Sequence, residues 1–204
     1  MEELVSTRIR ILEVTRAQLM ERGLSRLTVK GVADELGLTK QAVLYWFPTK
    51  TLLLQEIFIE ALELEAEVLR AAVVEAEDAR DAVRCFLEKG LAYHKANLPR
   101  FRLSYLVTQV DGKITALVDE ESSQRIYAAT TRLYDALEEA FAAAPGFPAG
   151  VNPRNFGVSL HMALLGHACI FGSMEALGDS FKQTFEEMVE ALTAVLVRGI
   201  EERP

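Results

Sequence analysis

A chain of 204 residues with half its residues hydrophobic and a quarter charged is long enough to bury a sizeable core, in one domain or two small ones. That composition excludes a disordered chain. No apolar run approaches the roughly 20 residues a membrane-spanning helix needs. The net charge of −8 excludes a duplex-binding surface spread over the whole molecule but not a local one. Residues 1–50 carry 8 Lys+Arg against 6 Asp+Glu, and from residue 7 to 50 the balance is 8 against 4. Residues 51–204 carry 14 against 24, so a modestly basic head precedes an acidic body.

Cys85 and Cys169 are the only cysteines, without metal-ligand spacing or a disulfide framework, and both sit among apolar residues. Packed, inert thiols in a reducing compartment are the reading that fits. With no basic-then-apolar leader at the start, the expected location is cytoplasmic. Val and Ile are scattered among Ala, Leu and Glu without two-residue alternation, and the one Asp-Gly pair, Asp111–Gly112, falls between helical patterns. The expected class is all-α.

In chain order, the first helix is expected from about Ser6 to Arg22, with Ile11, Leu12, Thr15 and Leu19 inward and Gly23 ending it. Arg8 and Arg10 near its start have two open readings, an N-terminal arm on a phosphate or minor groove, or solvated surface arginines. Thr28 is placed to cap a second helix whose buried stripe is Val29, Val32, Ala33 and Leu36. Gly37 falls where a helix ends in a left-handed residue. Leu38 can plug the gap, and Thr39 caps a third helix from about Lys40 to Trp46. Two short helices joined by a tight turn containing Gly make a helix-turn-helix, whose second helix lies in the DNA major groove.

Three pieces in register, ILEVTRAQLMERG (Ile11 to Gly23), LTVKGVADELGLTKQAVLYWF (Leu27 to Phe47) and PTKTLL (Pro48 to Leu53), resemble the DNA-binding region of the TetR family of bacterial transcriptional regulators. They cover roughly the first quarter of the chain. The family often ends its recognition helix with two tyrosines, a histidine and a phenylalanine; here those places hold Leu44, Tyr45, Trp46 and Phe47. One phosphate-contacting hydroxyl is thus replaced by Leu44. The resemblance implies a head at 1–50, with its motif at about 28–47, and an effector-binding and dimerisation body at 51–204.

Residue chemistry supplies roles on the head. Gln41 is placed near the N-terminus of the recognition helix, where a glutamine can pair bidentately with adenine. Thr39 is both cap and contact, Lys40 a phosphate or guanine partner, and Ala42 small enough to touch a thymine methyl. The resemblance makes Tyr45 and Lys50 backbone clamps. Thr28 offers a hydroxyl and a helix N-terminus to a phosphate. Val43 and Phe47 read as core of the motif, while Trp46 has two open readings, stacking on the sugar-phosphate backbone or packing inward.

Past Pro48, Thr49 caps a fourth helix from Lys50 to about Glu75, with Leu53, Ile57, Ala61, Leu64, Val68 and Ala72 on one stripe. About 26 residues span roughly 39 Å, long enough to belong to head and body, and in the family this helix is the mechanical link. Asp78 begins another, to about Ala96, with Ala82, Cys85, Phe86, Lys89 and Tyr93 along one side. Asn97-Leu98-Pro99 breaks it. A shorter helix is expected from Arg100 to about Gln109, stopped at Asp111-Gly112, with further turns at Lys113 to Asp119. Ser122 opens a helix to about Ala144 with Ile126, Leu133, Leu137 and Phe141 inward. Pro145 to Pro153 reads as a loop.

The last two helices are expected from about Arg154 to Ala176 and from about Ser180 to Gly199. Leu160, Leu164, His167, Phe171 and Met174 on the first, and Phe181, Phe185, Met188, Leu192 and Val195 on the second, alternate at spacings of 3 and 4. That is a seam for helix against helix, either internal core or one half of a four-helix homodimer interface. The resemblance favours the dimer, and so does the shortness of one reading helix.

Catalysis finds little support. His94, His161 and His167 lack HExxH spacing, no phosphate loop or nucleophile elbow is present, and no metal or cofactor is expected. The resemblance instead implies a pocket for a small, largely apolar effector among the middle helices, with Phe86, Tyr93, His94, Phe101, Arg102, Tyr105, Tyr127 and His161 as candidates. For each, ordinary core packing is the alternative. The expected function is a ligand-responsive repressor, not an enzyme, binding a palindromic operator in double-stranded DNA as a homodimer, with no membrane partner. The competing reading is a helical small-molecule binding protein whose head no longer reads DNA, for which Leu44 and Trp46 leave room.

Overall fold

In a computed structural model, the described residues are 2–101, 105, 119–144, 147–178 and 184–201, at a few of which only the backbone is described. They form α1 (Glu2–Arg22), α2 (Val29–Leu36), α3 (Lys40–Trp46), α4 (Lys50–Val74), α5 (Ala79–Ala96), α6 (Leu98–Phe101), α7 (Glu120–Ala142), α8 (Pro153–Leu177) and α9 (Phe185–Glu201). The fold is all-α, as the absence of two-residue alternation predicts. Among the described residues no helix is long and apolar enough to cross a membrane.

Two compact units divide the chain, Met1–Ala61 with Pro99–Ser123, and Leu62–Leu98 with Gln124–Pro204. In the first, α1, α2, α3 and the start of α4 close around Ile11, Leu12, Leu27, Val32, Val43, Phe47, Leu53 and Ile57. The ends of these helices are set by local chemistry. Gly23 and Gly37 end α1 and α2 at φ 76° and 65°, a left-handed conformation that a Cβ disfavours. Thr49 Oγ1 accepts from Leu52 N at 3.1 Å and opens α4.

The second unit packs α5 against α8 and α9. Phe86, Leu87, Leu91, Leu133, Leu137 and Phe141 are fully buried there. Gly90 sits where α5 passes α8: a Cβ built on it would lie 2.5 Å from Leu164 Cδ2. Phe141, Phe147 and Phe156 form an aromatic cluster, with Phe141 and Phe156 edge to face at 4.8 Å, which pins the turn between α7 and α8. Arg154 at the start of α8 donates to Asp135 and Glu138 on α7 at 2.6 and 2.9 Å.

Several sequence expectations are corrected. The α4 stripe does not hold at Leu64, which is 47% exposed, because Glu65 and Ala66 turn inward instead. On α5 the buried face runs through Ala79, Ala82, Val83, Phe86, Leu87, Gly90, Leu91 and His94. Lys89 lies outside that face and pairs with Glu75 at 3.0 Å, while Cys85 is half-buried. α7 begins earlier than Ser122, because Asp119 Oδ1 accepts from Ser122 N at 2.8 Å and is the effective cap. α9 begins at Phe185 rather than Ser180; Thr184 and Glu187 cap each other's backbone reciprocally, at 2.7 and 3.2 Å. The expected helix over Arg100 to Gln109 and the turns at Lys113 to Asp119 fall largely outside the described residues.

Candidate nucleic-acid interface and buried body cluster

α3 is held by two caps and two buried side chains. Thr39 Oγ1 accepts from Ala42 N at 3.1 Å at its start, and Phe47 N donates to Val43 O at 3.0 Å at its end. Val43 is fully buried and Phe47 nearly so, which fixes the rotation of the helix about its axis. The turn before it closes through Gly37 N to Asp34 O at 3.2 Å and Leu38 N to Ala33 O at 2.9 Å, bonds that satisfy the last carbonyls of α2.

With Val43 and Phe47 pinned inward, the opposite flank faces solvent. Thr39, Lys40 and Gln41 are exposed, Ala42 is half-buried, and Tyr45 is 77% exposed. Leu44 and Trp46 are partly buried against the core of the head. The Trp46 ring stands edge-on to Tyr45, with centroids 5.4 Å apart. Of its two readings, inward packing is therefore the one realised in the unbound chain. Leu44 also packs, so the position that lacks the family's tyrosine supplies apolar contact instead.

Around this flank, Thr28 caps α2 by accepting from Gly31 N at 3.0 Å, and its exposed hydroxyl keeps its proton for an outside acceptor. Lys50 is half-buried and donates from Nζ to Leu24 O at 3.1 Å, which places its charge next to the end of α1. Arg8 pairs with Glu56 at 3.0 Å and lies 5.3 Å over the Phe47 ring. Gln18, which the sequence pattern does not mark, is buried and donates to Gly31 O at 3.0 Å and Glu35 Oε2 at 2.7 Å, tying α1 to α2.

Residues 11–57 match the family model of bacterial regulatory proteins of the tetR family. That stretch is a TetR-family DNA-binding region by its likeness to the model. The match covers the second half of α1, α2, α3 and the first turns of α4, so the likeness in sequence lies in the head. The fold extends the likeness over nearly the whole chain. A protein of unknown function from Rhodococcus sp. RHA1 superposes with a TM-score of 0.75 at 19% identity, over 96% of this chain and 95% of that one. PfmR, a TetR family transcriptional regulator from Thermus thermophilus, gives 0.66 at 24% identity, over 95% and 100%. A TetR family transcription regulator from Marinobacter aquaeolei VT8 gives 0.68 at 17% identity, over 99% of each chain. No curated protein matches the chain.

The body candidates separate. Phe86, His94 and His161 are buried in the second unit and Tyr93 is half-buried. Phe86 meets the His161 ring edge to face at 5.9 Å, and Tyr93 meets His94 at 5.5 Å. Phe101 is buried in the first unit, with Tyr105 at 5.2 Å between ring centroids. Tyr127 is 71% exposed, and Arg102 lies outside the described residues. A groove of about 500 Å³ opens between α5 and α9, lined among others by Arg84, Lys95, Glu186, Val189 and Thr193; none of the aromatic candidates lines it.

The sequence reading missed the group at the centre of the buried cluster. Glu65 of α4 is 4% exposed, and its Oε1 lies 3.4 Å from His161 Nε2 and 3.5 Å from His94 Nε2. Behind His161, Tyr134 Oη lies 3.0 Å from Nδ1. Burial pushes the Glu65 carboxyl up, but hydrogen bonds from His161 and His94 outweigh it and bring it down to about 2. Burial pushes the Tyr134 hydroxyl up, so it stays protonated. The available signal was positional: Ala61, Glu65 and Leu69 follow one another at i, i+4 and i+8, a charge on an apolar stripe.

The seam residues also separate. Leu160 and Leu164 are buried within the protomer, so for these two the internal-core reading holds. His167 is half-buried with Nδ1 2.8 Å from Ala163 O. Met188 and Leu192 are half-buried and Val195 is exposed, as are Met162 and Ile170 on α8. Phe181 and the side chains of Phe171, Met174 and Phe185 lie outside the described residues.

Proposed function

We propose that this protein is a homodimeric repressor that binds a palindromic operator and releases it when a small, largely apolar effector enters the body. The observation that carries the reading is the polar flank of α3, Thr39, Lys40, Gln41 and Tyr45, exposed while Val43 and Phe47 hold the helix from behind. Gln41 reads a base edge, Thr39 and Lys40 act at the same end, and Ala42 touches a thymine methyl. Tyr45, Lys50 and the α2 N-terminus at Thr28 grip phosphates. Trp46 shapes the flank through Tyr45.

One seven-residue helix reads too few base pairs to specify a site, so two heads enter successive major grooves about 34–36 Å apart. Residues 1–50 read DNA and 51–204 hold effector and dimer contacts. The exposed apolar side chains Met162, Ile170 and Val195, with half-buried Met188 and Leu192, support a second copy against α8 and α9. Effector lowers DNA affinity only by preferring a body state whose head spacing misses the grooves.

The test is electrophoretic: a palindromic fragment from the protein's own promoter region should be retarded as a complex of two chains per duplex. Failure to retard any duplex, together with tight retention of a small molecule, would favour a binding protein whose head no longer reads DNA.

A further inference from the structure

We propose that the head of this protein carries a ligand site of its own, apart from the effector site proposed for the body, and that it binds a small organic ammonium through Gln55. A cavity of about 180 Å³ lies within the first unit, where Arg8 of α1, Trp46 and Phe47 at the end of α3, Gln55 and Glu56 of α4, and Asp119 just before α7 meet. Gln55 is 3% exposed, and its amide oxygen has no hydrogen-bond donor in the protein. A buried acceptor left unmatched loses its hydration without return, so this oxygen calls for a donor from outside the chain.

The wall decides which donor fits. Two of its features favour an anion, the Arg8 guanidinium and the N-terminus of α7, and the protein answers both itself. Arg8 pairs with Glu56 at 3.0 Å, and Asp119 Oδ1 accepts from Ser122 N at 2.8 Å. Each of these partners is a carboxyl group, so an incoming anion meets like charge and an ammonium meets opposite charge. Aromatic faces attract the same kind of ligand. Arg8 lies 5.3 Å over the Phe47 ring, so the Trp46 ring is the one assigned to the ligand. Size sets the remaining limit. An interior cavity of about 150 Å³ takes benzene, so the occupant here is one ammonium group on a ring or a short chain.

Such a ligand bridges the end of the reading helix to the helix that follows it. Trp46 and Phe47 close α3, and Gln55 lies in the second turn of α4, so a molecule touching both fixes the angle at which α3 is presented. DNA affinity changes only as far as the ligand prefers one such angle. That consequence rests on the DNA-binding reading given above; the site itself does not.

Binding is tested on the full chain without DNA, so its failure is distinct from a failure of that reading. Trp46 is the only tryptophan, and its fluorescence reports the wall of the cavity. Three probes of similar size are titrated at neutral pH: benzylamine, which is an ammonium there, benzyl alcohol and benzoate. Benzylamine should give a saturable change, benzyl alcohol should bind more weakly, and benzoate should give no response. Gln55→Met removes the amide at nearly constant length and should weaken benzylamine binding by about tenfold or more. Gln55→Glu should bind benzylamine more tightly than the wild type, because it adds opposite charge. Should neither variant fold, the order of the three probes on the wild type decides. No saturable response to benzylamine, benzyl alcohol or benzoate bound as tightly as benzylamine, or an affinity that Gln55→Met leaves unchanged would each overturn the proposal.

Discussion

Gly37→Ala isolates the turn on which α3 depends. Gly37 closes α2 at φ 65° and ψ 27°, with its N–H directed at Ala33 O and Asp34 O. An added Cβ would meet nothing within 4 Å, so no neighbour has to move and the cost is confined to the backbone. Holding an alanine in the left-handed region costs about 1–2 kcal/mol, roughly 5- to 30-fold in the folded ratio. Trp46 is the only tryptophan and packs partly against the core of the head, so its fluorescence in a urea titration reports this unit directly. The midpoint should fall for Gly37→Ala and fall less for Gly37→Asn, since asparagine tolerates that conformation better. Where the head remains folded, DNA affinity should be unchanged, because the exposed flank of α3 is untouched. An unaltered midpoint for Gly37→Ala would mean that the turn is not held as described. So would an asparagine as costly as alanine.

The remaining predictions concern packing, charge and contact. Gly90→Ala should destabilise the second unit by about 1–3 kcal/mol, read by thermal denaturation, because its Cβ would lie 2.5 and 2.8 Å from Leu164 Cδ2 and Leu69 Cδ2. Since the Glu65 carboxyl is lowered in the fold, its contribution is present above about 4.5 and lost as pH falls toward about 2. Acid unfolding of the wild type should accordingly be steeper across that range than that of Glu65→Gln. Tyr45→Phe should weaken binding to many sequences alike. Lys50→Ala should do the same and reduce the slope of log affinity against log salt by about 1, with a stability loss of about 1 kcal/mol from its bond to Leu24 O.

What the sequence makes legible is what neighbouring residues decide. Thr28, Thr39 and Thr49 each cap the helix that follows, and Gly23 and Gly37 each end one, because a cap is a bond between residues a few places apart. Ile11, Leu12, Thr15 and Leu19 are all buried for the same reason: one period and one face. Competing local signals explain the misplaced starts. Ser122 is a plausible cap by residue type, yet Asp119 holds the bond, and α9 opens at Thr184 through a reciprocal pair with Glu187.

The buried cluster was illegible because its members are remote in sequence. Glu65 and His161 are 96 positions apart, and nothing local to either distinguishes a core carboxylate from a solvated one except its place on an apolar stripe. Tyr127 looked like a pocket wall by residue type alone, but Ala129 and Leu133 take the inward face of α7. Leu160 and Leu164 illustrate the same ambiguity. A 3–4 alternation shows that a helix face is apolar, and not whether its own chain or a second copy covers it.

Selection of bound duplexes from a random pool, with wild type and Gln41→Ala in parallel, tests the central claim most directly. If the solvent-facing flank of α3 reads bases, the wild type enriches a two-fold symmetric site with half-sites one helical turn apart, and Gln41→Ala relaxes the preference at one symmetric pair of positions. Enrichment of no site by the wild type, or of the same site with undiminished preference by the variant, would contradict it.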